Sequence, residues 1–83
     1  MKTYTIIKVR DGKETAYTGT AKELREAFKH AATYNPIGKY LFYIGNGDFL
    51  EDKGYKQRAS EQYAAANELI EELAKWGYVV PKV

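Results

Sequence analysis

The side chains that could do chemistry are few, and their spacing argues against most of it. There is one histidine, one serine and no cysteine in 83 residues. His30 follows Glu26 by four positions, so on a helix the two share a face and could share a metal. A usable site needs at least one further ligand at a fixed position, and none is placed by the sequence. His30 therefore reads as a surface residue near a helix C-terminus, where a positive charge is mildly favoured. No metal and no cofactor is expected.

Asp48, Glu51 and Asp52 lie close together beside Gly47 and invite comparison with a carboxylate pair or a calcium loop. The alternating ligands, sixth-position glycine and twelfth-position glutamate of an EF-hand are missing. Acid–base catalysis needs one carboxyl in a desolvated pocket, whereas this stretch reads as exposed. Gly45-Asn46-Gly47 lacks the remainder of a phosphate-cradling motif and reads as a turn. Ser60 has no nucleophile-elbow residues around it and suits the N-cap of a helix. An enzyme is not expected.

Binding chemistry is better supplied, because the chain holds eight tyrosines. Tyrosine is a rigid, amphipathic plate that covers partner surface at low entropic cost. Tyr4, Tyr17, Tyr34, Tyr55 and Tyr78 accompany the cations Lys8, Arg10, Lys13, Lys56 and Arg58. A domain this small also needs aromatics in its core, so about half of the rings are expected inside. The exposed remainder would act as anchors on a protein partner or as stacking plates for single-stranded bases. The set expected to bind is Tyr4, Lys8, Arg10, Lys13, Tyr17, Tyr34, Tyr55, Lys56 and Arg58.

Composition sets the outer limits. A chain of this length makes a single domain, residues 1–83, burying roughly 60–65% of the surface that the unfolded form exposes. With 45% hydrophobic and 29% charged residues it belongs among folded globular proteins. The strongest apolar run, Tyr40–Ile44, is far shorter than a membrane span, and Thr3, Thr5 and Lys8 interrupt any signal-peptide core. A cytoplasmic location without membrane contact is expected. Net charge is only +2, yet unevenly spread. Residues 1–47 hold eight basic against four acidic side chains, and residues 48–72 hold three against seven. A chain so polarised can steer a partner of either sign.

The elements that would position these residues follow from pattern. Thr3–Val9 and Glu14–Thr18 read as strands joined at Asp11-Gly12, a pair suited to a type I′ turn. Thr20-Ala21-Lys22-Glu23 is a capping box, and Leu24, Ala27, Phe28 and Ala31 form one helical stripe, which predicts a helix over 20–33. Asn35-Pro36 is expected to end it. Lys39–Ile44, flanked by glycines and apolar on both faces, predicts a central strand, with Phe49-Leu50 as an optional short one. Residues 51–58 read as a charged loop. A long helix is predicted over 59–76 with Gly77 as its left-handed terminator, then a last strand over 78–80. The result is an α+β fold in the order ββαβ(β)αβ: three to five largely antiparallel strands with two helices on one face.

Two resemblances arise from these segments. Tyr40–Asn46 is similar to the base-stacking strand of RNA-recognition motifs, but no second aromatic strand with its own signature follows. The opening third, the Asp11-Gly12 hairpin running into Thr18-Gly19-Thr20-Ala21-Lys22-Glu23-Leu24, resembles the start of many short phage- and prophage-encoded accessory proteins. That resemblance implies a protein that engages a host or viral partner, for instance an inhibitor of a defence nuclease such as a CRISPR effector. The expected function is thus a small non-catalytic module gripping a larger protein through a tyrosine-rich, partly basic surface. The alternative is a nucleic-acid-binding regulator using the basic N-terminal half. Edge strands at 14–18 or 78–80 offer a route to a homodimer.

Overall fold

A computed structural model describes residues 2–83. Strand β1, Tyr4–Arg10, pairs antiparallel with β2, Lys13–Gly19, in a register that sets Arg10 opposite Lys13 and Ile6 opposite Tyr17. Asp11 and Gly12 close the hairpin at φ 52° and 76°, the two positive angles that a type I′ turn demands. A third strand, β3 (Tyr78–Val79), lies on the other side of β1, so the order is β2-β1-β3 with β1 central. Side chains alternate across the sheet. Tyr4, Ile6 and Tyr78 enter the core, while Thr5, Val9 and Val79 remain on an uncovered face.

Four helical segments cover the inner face: α1 (Ala21–Ala27), α2 (Pro36–Asp52), α3 (Lys56–Asn67) and α4 (Ile70–Lys75). The capping box at Thr20 and Glu23 forms as its sequence implies, with both reciprocal bonds present. Helix α1 stops at Phe28, short of the predicted residue 33. Phe28 turns inward there, 4.8 Å from the Tyr17 ring and 5.7 Å from that of Tyr78, and residues 28–35 continue as turns.

The largest departure from the sequence reading is α2. Lys39–Ile44 is helical rather than a strand, and Gly45–Asp48 and Phe49-Leu50 continue the same helix instead of forming a turn and a fourth strand. Asn35-Pro36 begins this helix rather than ending the one before. The extended geometry that proline imposes on its predecessor is also N-cap geometry, with Asn35 at φ −74° and ψ 124° and its side chain accepting the Ile37 N–H. Proline at the first helical position loses no hydrogen bond. Ile37, Tyr40, Leu41 and Ile44, all fully buried, trace the helical face against the sheet.

The 51–58 stretch is likewise not a loop, since α2 runs to Asp52 and α3 starts at Lys56. Ser60 is inside α3 and does not cap it. The predicted 59–76 helix is divided at Glu68-Leu69 into α3 and α4. Gly77 does terminate α4 in the left-handed region, φ 87°. The architecture is α+β with a three-stranded antiparallel sheet. Its core joins Ile6, Leu24, Ile37, Tyr40, Leu41, Ile44, Ala66, Leu73 and Tyr78.

Three glycines interrupt α2, at about 1 kcal/mol each relative to alanine. Gly47 has a reason inside the chain, because the Tyr63 ring of α3 packs directly on it. A Cβ on Gly38 would meet nothing within 4 Å, and one on Gly45 only the Ala21 methyl at 3.8 Å.

Candidate functional site

The hairpin gathers four of the nine residues expected to bind. Lys8 and Arg10 alternate along β1 and point to the same side. Lys13 faces Arg10 and Thr15 faces Lys8 across the ladder. Tyr17, one step further, closes the inner end of the group. Together with Asp11 they line a shallow depression of about 350 Å³. Lys8 rests 5.9 Å from the centre of the Tyr78 ring, a cation–π distance. Among the described residues, ion pairs form only between Lys2 and Glu51 and between Lys29 and Glu26. None of the three hairpin cations is therefore in an ion pair, although Asp11 shares their depression.

An aromatic pair lies next along the surface. Tyr78, beneath Lys8, accepts a 3.1 Å hydrogen bond from Asn35 Nδ2. The preceding Tyr34 is 78% exposed and packs against Trp76, itself 41% exposed, with centroids 5.6 Å apart. Trp76 lies outside the set expected to bind, because it falls within the helix predicted over 59–76. Its position beside Gly77, where the chain leaves α4, was the available signal for a ring at the surface. Behind Tyr34 a groove of about 690 Å³, lined by Phe28, Leu41 and Leu69 among others, opens toward Lys29 and Lys39.

The remaining expected residues do not join this surface. Tyr4 is buried, and its hydroxyl donates to both Asp48 carboxylate oxygens at 2.8 and 2.9 Å. Tyr63 donates to the same carboxylate. Burial first, and then these bonds, push the Tyr63 hydroxyl up to about 12 and Tyr4 up further. Both phenols stay protonated at neutral pH and tie β1, α2 and α3 together. Tyr4 is a structural ring, not an anchor. Tyr55, Lys56 and Arg58 cluster where α3 begins, with the Arg58 guanidinium 5.6 Å from the Tyr55 ring centre. That turn follows the end of α2 held at Tyr4, whereas Arg10 and Lys13 lie about 20 Å away along the strand. Of the eight tyrosines only Tyr34 and Tyr55 are exposed, and they belong to separate surfaces.

His30 and Glu26 do not form a pair, because Glu26 is engaged by Lys29 at 2.6 Å. No group of three or more described His, Asp or Glu side chains is placed to hold a metal ion. No described helix is long and apolar enough to cross a membrane. Comparison with protein-family models, curated proteins and solved structures finds no match for the chain.

Proposed function

We propose that this chain is a small non-catalytic binding module that grips an acidic surface on a larger protein. One observation carries the reading: Lys8, Arg10 and Lys13 converge on one side of a two-stranded ribbon without internal ion pairs. Unpaired cations on a stiff ribbon steer and orient an acidic partner. The neighbouring Tyr34–Trp76 pair supplies the aromatic contact that dominates protein interfaces. This is the anchor role first expected of a broad tyrosine set, now assigned to a narrower one. The hairpin's resemblance to phage accessory proteins extends the reading to a host protein as target, including a defence nuclease.

The test is capture from a host lysate on immobilised protein, run in parallel with the Lys8→Glu/Arg10→Glu/Lys13→Glu variant. A partner retained by the natural chain and lost from the variant supports the proposal. Equal capture by both refutes the assigned surface.

A nucleic-acid ligand is the second reading, favoured because the same three cations lie on a β-ribbon, an element that fits a major groove. Affinity for duplex or single-stranded DNA would then fall steeply with salt, and each cation replaced by alanine would lower the log–log slope by about one. A flat salt response removes this reading and leaves the first.

A further inference from the structure

We infer that the free edge of β2 takes an extended acidic segment of the partner as a fourth, antiparallel strand. This rests on the proposed grip of an acidic partner and gives the shape that partner takes at the hairpin. Backbone direction fixes the place. Arg10 and Lys13 flank a two-residue turn, so they exchange both of their hydrogen bonds, and Lys8 with Thr15 and Ile6 with Tyr17 repeat the pattern. The residues between, Glu14, Ala16 and Thr18, then aim their N–H and C=O groups away from β1. Val9, which faces Glu14, follows the same alternation and donates to the Gly77 carbonyl on the far side of β1 at 2.7 Å. Among the described residues no backbone hydrogen bond reaches the outward groups of β2. Glu14, Ala16 and Thr18 are all exposed.

Open sheet edges are ordinarily blunted by brevity, proline, bulges or charge. The β3 edge is blunted in this way, since it has two residues and Pro81 follows closely. Strand β2 has seven, matched one for one with β1 and without a bulge. Its charges, Lys13 and Glu14, sit at the turn, and residues 15–19 contain neither charge nor proline. One edge of the sheet is closed and the other is left as a template.

Charge selects the occupant. A strand on this edge alternates its side chains in step with the sheet. On the side of the shallow depression they stand beside Lys13, Thr15 and Tyr17, at about 5 Å between Cβ atoms. Arg10 and Lys8 lie one strand further, behind Lys13 and Thr15. The depression holds three cations against one acid, Asp11, which favours carboxylates opposite Lys13 and Thr15. Tyr17, packed edge-to-face with Phe28, suits an aromatic neighbour. On the opposite side Ala16 continues a row formed by Val79 and Ile7, which a β-branched residue extends. A second copy of β2 would bring Lys13, Thr15 and Tyr17 to the depression and no acid. The complement is a foreign strand with acids at alternate positions.

The test uses the acetylated, amidated peptide Thr-Tyr-Val-Glu-Thr-Glu, whose residues fall in turn opposite those from Thr18 back to Lys13. Amide hydrogen exchange of the full chain is followed with and without it. At nine-tenths occupancy the Glu14, Ala16 and Thr18 amides should exchange about tenfold more slowly. Thr15 and Tyr17, already bonded to β1, should stay unchanged. Lysine in place of both glutamates should weaken binding at least about tenfold. N-methylation of the peptide valine removes its bond to Ala16 and should weaken binding about threefold or more. Methylation of the first glutamate, whose N–H points away from β2, should not. Absence of binding at millimolar peptide overturns the inference, as does binding that leaves the three amides unprotected or ignores charge. Protection that instead grows with the concentration of the chain alone assigns the edge to a second copy and also overturns it. Ala16→Pro removes an outward N–H and no bond to β1. In the lysate capture the partner should be lost from A16P as from the triple-glutamate variant. A partner kept by A16P but lost from the triple variant overturns the added strand and leaves the basic surface standing.

Discussion

Gly47 and Tyr63 are in such close contact that a Cβ on Gly47 would lie 2.5 Å from the Tyr63 Cε1 atom. The missing side chain on α2 is what allows the α3 ring to reach Asp48. Gly47→Ala should therefore destabilise the fold, because overpacking of about 1–3 kcal/mol exceeds the helix-propensity gain of at most about 1 kcal/mol. Gly38→Ala, facing open space, should gain about 0.5–1 kcal/mol from propensity alone. Urea unfolding reads both, and equal effects at the two positions would contradict the packing account.

Alkaline stability should report the phenols around Asp48. A tyrosine ordinarily ionises near pH 10, and in the folded chain Tyr63 is raised to about 12, mainly by burial. A group raised on folding stabilises the fold fully below its unfolded value and loses that contribution as pH climbs through the folded one. The urea midpoint should hold steady up to about pH 10 and decline from there toward pH 12. Tyr63→Phe should make that decline shallower; an unchanged decline would detach it from this ring.

Gly77 should tolerate no side chain. Its φ is 87°, and a Cβ there would lie 2.6 Å from the Val9 carbonyl oxygen. The Val9 N–H donates to the Gly77 carbonyl at 2.7 Å, so strain at Gly77 reaches the junction of β1 and β3. Gly77→Ala should cost about 2 kcal/mol or more, combining left-handed strain with the clash. Amide hydrogen exchange at Val9 should accelerate more than at Ile6. Uniform acceleration would mean that the effect is not local.

Trp76 offers an optical reading of the proposed surface, being the sole tryptophan. A partner that reaches Tyr34 and Trp76 should shift its fluorescence, whereas one confined to Tyr55 and Arg58 should not. Trp76→Ala should weaken capture while changing stability little, since the ring is 41% exposed. Glutamates at the exposed Arg10 and Lys13 should leave stability within roughly 1 kcal/mol, whereas one at half-buried Lys8 also removes its cation–π contact with Tyr78.

Local rules carried the ends of the chain and failed in its middle. Asp11-Gly12, Thr20 with Glu23, and Gly77 each act through one or two residues' own dihedral angles or caps, and each took the conformation its chemistry implies. In the middle, Gly38, Gly45 and Gly47 suggested strand borders and a turn. What overrides them is tertiary: Ile37, Tyr40, Leu41 and Ile44 bury completely at helical spacing. The periodicity was present in the sequence, but glycine's low propensity obscured it. The hairpin cations were legible because strand alternation and a two-residue turn fix which side chains share a face. Exposure of individual rings was not legible, since burial of Tyr4 depends on Asp48, 44 positions away.

Pairing of Ile7 with Val79 and Lys8 with Tyr78 links positions some seventy residues apart. During synthesis the first hairpin and the α2–α3 unit can each form from neighbouring sequence, yet one flank of β1 waits for Tyr78 and Val79 to emerge. Until then its backbone donors and acceptors stand open to any extended strand nearby. A protein this rich in helix should consequently fold more slowly than its short local contacts suggest, with docking of β3 on β1 as the slow, long-range step.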